Sequence, residues 1–183
     1  NLAEQGIKRG RVVVAADLQE MGRLLKNGDV DVVSETVFSA LELQQRYGAE
    51  MLLRRWKKGV ATYSSIFFAR QDRGIQSLAD LRGKVVAFED RGSTSGYFIP
   101  ASLLIRQGYE LVELASPHSK VPADKIGFVF ARELLKTSNE ISISAWVYRG
   151  TVDAGVLSSV NWNDPEDMPE RIQRELNIVH QST

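Results

Sequence analysis

Short apolar runs alternate with stretches of helical period along most of this chain, and the alternation predicts an order of elements. Arg11–Ala16 is a β-branched run that ends at Asp17, a residue suited to cap a helix. Leu18, Met21, Leu24 and Leu25 then recur at helical spacing until Asn27-Gly28 stops them. Asp29–Val33 reads as a second short strand, and Val37, Ala40, Leu41, Leu43 and Tyr47 as a second helix that Gly48 closes. Strand, helix, strand, helix in that order predicts parallel pairing with helical crossovers.

Glu50–Trp56 predicts another strand, and the basic run Arg54–Lys58 reads as its solvated end. Ala61–Arg70 has strong strand propensity throughout, long enough to connect two lobes. Ser77–Gly83 reads as one helical turn with Ser77 as N-cap and Asp80 at the capping-box position. Lys84–Glu89 is a buried strand that runs into a tight turn. Phe98, Ala101, Leu104 and Ile105 then mark a helix face, with Pro100 in its first turn. Leu111–Leu114 predicts a strand and Ala115–Asp124 a loop, while Lys125–Leu135 is too continuously apolar for its period to decide. Ile141–Arg149 predicts a helix, Val152–Leu157 a buried strand, Glu170–Leu176 a short helix and Asn177–His180 a last strand.

Composition narrows the classes. The 183 residues, 43% of them hydrophobic, suffice for one domain or two small lobes. With 23 Lys and Arg against 23 Asp and Glu, no global field draws nucleic acid or an anionic membrane, so neither is an expected partner. The lack of cysteine excludes disulfides, thiol catalysis and Cys-ligated zinc. No apolar run approaches the roughly 20 residues that cross a bilayer, and any export signal or anchor is expected outside this stretch. There is no G-x-S-x-G, no Walker-type phosphate loop and no dinucleotide fingerprint, so no enzyme activity is expected. His118 and His180 have no companion at metal-ligand spacing, so no metal and no cofactor is expected either.

Ser93-Thr94-Ser95-Gly96, between a buried strand and a helix, carries the most specific local chemistry. One hydroxyl suffices to cap a helix. Three in a row, at the positive end of a helix dipole and flanked by Gly92 and Gly96, also suit a phosphate-like anion. Glu35 comes after Val32-Val33 at the carboxyl end of a predicted strand, where open α/β sheets hold ligands. Tyr63, Trp146 and Tyr148 are candidates for a cleft wall.

Tyr63–Arg70, Ile75–Asp90, Ser93-Thr94-Ser95-Gly96-Tyr97 with Pro100, and Val152-Asp153-Ala154-Gly155, in this order and spacing, resemble the phosphonate-, phosphate- and phosphite-binding proteins of ABC transporters. The resemblance implies an α/β type II periplasmic-binding-protein fold: two lobes with mainly parallel sheets, joined by two crossing strands. It implies a periplasmic or otherwise extracytoplasmic protein that captures a small phosphorus oxyanion or phosphonate between the lobes for an ABC transporter permease. The hydroxyls of Ser93, Thr94 and Ser95, Tyr63 from the first crossing segment, and Asp153 are the ligand-binding residues it implies. Ser34-Glu35-Thr36 departs from the small turn usual in relatives, which would bring Glu35 and Thr36 to the cleft, count against a fully charged phosphate and leave room for a zwitterionic phosphonate or a different small ligand. Lobe one is expected over residues 1–75, lobe two over 76–177 and a return segment over 178–183. Lobe one is also expected to lack its first strand and its closing helices, which opens it to homodimerisation. The alternative within the same fold is the ligand-sensing module of a signalling receptor.

Overall fold

The computed structural model describes residues 4–136 and 140–182. The first three residues of the expected lobe one, and Thr183 at the end of the expected return segment, lie outside them. The chain forms two compact units that divide between Arg54 and Arg55. That is well ahead of the expected boundary at 75. The reason is that Ser65–Arg70, expected to cross between lobes, is paired on both sides within the second unit.

The first unit contains α1 (Leu18–Asn27) and α2 (Val37–Tyr47), both ended by a left-handed glycine, Gly28 and Gly48. The Asp17 carboxylate caps α1 by accepting from Glu20 N at 2.8 Å, as its position before the helix predicts. The strands expected at Arg11–Ala16, Asp29–Val33 and Glu50–Trp56 do not form. A strand exists only where a neighbour takes up its N–H and C=O groups, and these segments pair with none among the described residues. Val12, Val14 and Leu53 are accordingly 90%, 88% and 96% exposed.

The second unit is one six-stranded sheet in the order β3-β4-β2-β5-β1-β6. Its strands are β1 (Ser65–Arg70), β2 (Val85–Phe88), β3 (Leu111–Glu113), β4 (Ile126–Phe130), β5 (Ala154–Ser158) and β6 (Leu176–Gln181). Neighbours are parallel from β3 to β5, and β1 runs antiparallel to both β5 and β6. The expected ten-residue strand begins only at Ser65, where its partners begin. Lys125–Leu135, undecided by its period, is β4 followed by α4 (Ala131–Leu135).

Both faces of this sheet are covered, which is why its strands read as continuous apolar runs. Ile66, Phe68, Val85, Ala87, Val129 and Leu157 point to the side packed by α5 (Ile141–Arg149), α6 (Ser159–Trp162) and α7 (Glu170–Gln173). Phe67, Ala69, Val86, Phe88, Phe128 and Val156 point to the side packed by α3 (Ile99–Arg106) and the short turn at Leu78–Leu81. Gly155 lets α5 sit close: a Cβ there would stand 2.7 Å from Ile143, 2.8 Å from Phe68 and 2.9 Å from Val147. Ser77 and Asp80 form the predicted capping box, which pulls the Asp80 carboxyl below its ordinary range, chiefly through the Ser77 hydroxyl.

Candidate functional site

The carboxyl end of β2 leads directly into the hydroxyl turn. Asp90 Oδ1 accepts from Gly92 N at 2.8 Å and the Asp90 carbonyl accepts from Ser93 N at 3.2 Å, so the chain reverses tightly. Ser93 Oγ then accepts from Gly96 N at 2.9 Å and donates to Glu89 Oε2 at 2.6 Å. The hydroxyl proton and an acceptor lone pair of Ser93 are both in use, so Ser93 is the cap of the trio. A wide π-type turn over Thr94–Phe98 continues into α3, with Phe98 N donating to the Ser93 carbonyl at 2.9 Å. Ser95 is 8% exposed, and its hydroxyl makes no hydrogen bond among the described residues. Gly96 makes room for the turn's own side chains. A Cβ on it would lie 2.5 Å from Glu89 Oε2, 2.7 Å from Glu89 Cβ and 2.8 Å from Ser93 Oγ. Burial pushes the Glu89 carboxyl up from its ordinary value, and the hydrogen bond from Ser93 offsets part of that rise.

Strand register decides what shares this edge. β2 and β5 are parallel with Val86 beside Ala154 and Ala87 beside Gly155, so Ser158 ends β5 on the same side as Glu89. β1 is antiparallel, with Ser65 beside Ser158, so its amino end and the preceding Tyr63 arrive there too. Ser158 repeats the logic of Ser93: its Oγ accepts from Asn161 N at 3.1 Å and caps α6. Lys57 Nζ donates to Asn161 Oδ1 at 2.6 Å and Ser158 Oγ at 3.4 Å, and lies 5.8 Å from the centre of the Tyr63 ring. A strand end, two serine-capped helix starts, a phenol and an ammonium thus stand along one edge of a parallel sheet, the position where open α/β sheets bind ligands.

The sequence model of the family described as "ABC transporter, phosphonate, periplasmic substrate-binding protein" matches residues 1–183. The chain belongs to this family. Among solved structures it is similar to XAC2383 from Xanthomonas citri bound to chloride ion, with 34% identity and a TM-score of 0.89, covering 100% of this chain and 63% of that one. XAC2383 bound to ATP matches at 34% identity, 100% and 64% coverage and a TM-score of 0.88. Two more distant likenesses concern the fold alone. One is a binding protein component of an ABC phosphonate transporter (PA3383) from Pseudomonas aeruginosa, at 20% identity, TM-score 0.64 and coverage of 94% and 53%. The other is PhnD1 from Prochlorococcus marinus in complex with methylphosphonate, at 15% identity, TM-score 0.66 and coverage of 94% and 60%. The chain spans less than two thirds of the length of each. The fold is the α/β type II periplasmic-binding-protein fold, and its family is one of transport solute-binding proteins rather than a class of enzymes.

Within this binding-protein fold, the expected ligand residues do not all meet. Ser93, Thr94, Ser95 and Tyr63 share the edge just described. Asp153 does not, because it precedes β5 and lies at the amino ends of the parallel strands. Its Oδ2 accepts from Val85 N at 2.8 Å and its own N–H donates to the Val85 carbonyl at 3.0 Å. Four residues of β2 separate that level from Glu89, about 13 Å at the strand rise. Asp153 is therefore a fastener of the strand starts. Tyr148 also lies away from the edge, since its carbonyl accepts from Arg70, at the far end of β1, at 2.7 Å. Trp146 packs against the core on the α5 side. Glu35 and Thr36 belong to the first unit. There the Thr36 hydroxyl caps α2 by accepting from Ser39 N at 3.3 Å, and exposed Glu35 accepts from Thr36 N at the same distance.

Four residues of the edge escape a reading of the sequence: Lys57, Glu89, Ser158 and Asn161. Ser158-Ser-Val-Asn161 after a buried strand repeats the strand, serine cap, helix pattern of the hydroxyl turn, which is a usable signal. His118 is exposed, His180 packs edge-on to Phe67, and no cluster able to hold a metal exists among the described residues.

Proposed function

We propose that this chain is the ligand-capturing part of a solute-binding protein for an ABC permease, and that it takes a small phosphorus oxyanion or phosphonate at the edge formed by Thr94, Ser95 and Tyr63. The observation that carries the reading is the division of labour in the hydroxyl turn. Ser93 closes the turn by itself, so the adjacent Ser95 is not needed as a cap and its hydroxyl is available to an anion. Support also comes from the relatives, since XAC2383 has been seen with chloride and with ATP, both anions. Methylphosphonate in the more distant PhnD1 points the same way.

The test is a thermal-shift panel on the full chain with phosphate, phosphite, methylphosphonate, 2-aminoethylphosphonate, sulfate and ATP. A ligand at about 100 times its Kd stabilises by roughly 2.7 kcal/mol, a rise of about 5–10 °C at this size. A flat panel refutes the reading. A rise that survives replacement of Ser95 by alanine refutes the site.

A further inference from the structure

The cations near the hydroxyl turn are nearly all spent. Lys58 pairs with Asp164 and lies 3.6 Å from Asp167, Arg91 pairs with Glu113 and Glu133, and Arg132 lies 3.0 Å from Asp90. Lys57 alone among these is held by neutral oxygens, the amide of Asn161 and the hydroxyl of Ser158, and it makes no ion pair among the described residues. Its charge is therefore uncompensated at short range.

A tight turn fixes where this ammonium goes. Lys57 and Val60 exchange both backbone hydrogen bonds, at 3.1 and 2.9 Å, around a two-residue turn with φ of 49° at Lys58 and 77° at Gly59. Positive φ at both central positions is a type I′ turn, unfavourable for a lysine unless something holds it, and the Lys58–Asp164 pair does so. With Lys58 anchored, Lys57 is directed to the carboxyl end of β5. Two acids nearby are engaged by Asn161 instead. Asn161 presents its Oδ1 to Lys57, while its Nδ2 donates to Asp167 Oδ2 at 2.7 Å and to Glu140 Oε1 at 3.3 Å. The Lys57 charge reaches Glu89 as well, pulling its carboxyl down against the effect of burial.

From this geometry we infer that Lys57 is the charge-selecting residue of the anion site, a counter-charge that favours a doubly ionised phosphonate or phosphate monoester over a singly ionised sulfonate of the same shape. The inference rests on the anion-binding reading above, and it adds the residue that sets the ligand's charge.

Methylphosphonate and methanesulfonate are close in shape and, above the second ionisation of the phosphonate, differ by one charge. Isothermal titration of the full chain at such a pH should show the phosphonate preferred by about 10- to 100-fold, the span expected of one charged hydrogen bond. In K57Q and K57M both anions should bind more weakly, the phosphonate dianion losing about twice the interaction energy that the methanesulfonate monoanion loses, so that the preference shrinks toward parity, and in K57R it should persist. Melting curves establish that each variant is folded. A folded K57Q or K57M with the wild-type preference overturns the inference, as does a wild type that binds both anions equally; in both cases the anion site itself survives. Binding of neither anion by the wild type overturns both readings. A readout independent of any variant comes from the wild type at a series of pH values. Phosphonate affinity should climb as the ligand takes its second charge, after correction by methanesulfonate, which registers the protein's own groups Glu89, Glu140, Asp167 and Tyr63. A corrected curve that stays flat overturns the inference.

Discussion

Replacing Gly96 by alanine tests whether the hydroxyl turn is as tightly built as its geometry implies. The added methyl would stand 2.5 Å from Glu89 Oε2, 2.7 Å from Glu89 Cβ and 2.8 Å from Ser93 Oγ. The carboxylate could swing aside, but Glu89 Cβ is fixed to the end of β2 and Ser93 Oγ is fixed by its two hydrogen bonds. Overpacking of this kind costs about 1–3 kcal/mol, and losing the Ser93 cap about 1 kcal/mol more. Alanine recovers up to about 1 kcal/mol through its better helix propensity. The net is a loss of about 1–4 kcal/mol, or a melting temperature lower by roughly 2–16 °C at this size. The control is Gly10→Ala, where a Cβ meets nothing within 4 Å and which should melt like the wild type. Circular dichroism melts, then anion titration of the folded protein, measure both consequences, and anion affinity should fall because Ser95 moves with the turn. A G96A variant that melts within about a degree of wild type and binds anion equally well would show that the turn yields freely, and the packing account would be wrong.

Three further expectations concern single side chains at the two ends of the parallel strands. Ser93→Ala should cost about 1 kcal/mol of stability as a lost cap, whereas Ser95→Ala should leave the melting curve in place and weaken anion binding; equal effects of the two on melting and on titration would refute the division of labour. Asp153→Ala should destabilise by about 1–3 kcal/mol, since it orphans the Val85 N–H, and leave anion affinity alone; a loss of affinity at unchanged stability would return Asp153 to the site. Glu89 has a folded-state pKa raised by burial, so the native state holds more protons than the unfolded state between the ordinary value of 4.5 and the raised one. In that window stability must fall as pH rises. Urea midpoints measured across it should show wild type losing stability relative to E89Q, and parallel curves would refute the burial of Glu89.

How much of the fold is legible in the sequence depends on whether burial or pairing decides the matter. β2, β4 and β5 are covered on both faces, so their residues have to be apolar without interruption; β2 and β5 can be read directly as short strands, whereas the same continuity leaves β4, which runs on into α4, undecided by its period. Arg11–Ala16 has equal strand propensity but no partner, and propensity without pairing leaves Val12 and Val14 in solvent. Residues 61–64 stay outside β1 for the same reason, since β1 starts where β5 and β6 begin to pair with it.

The site divides along a related line. A hydroxyl turn after a buried strand is local information, and Ser93-Thr94-Ser95 can be found from it alone. Which end of a strand a polar residue occupies is also local, yet it acquires meaning only through the direction of the neighbours. Asp153 and Ser158 stand at opposite ends of the same strand, one before its start and one at its end. Because β2 is parallel to β5, only the residue at the end reaches Glu89 and the hydroxyl turn. Lys57 is hidden for a third reason. Within Arg54–Lys58 nothing distinguishes one cation from the next until a turn with two positive φ angles sends one to an aspartate and its neighbour to an amide. A charge run is therefore a solvated face only on average. Where a turn of this kind divides it, the cation that ends against neutral acceptors is the one with charge left to offer a ligand.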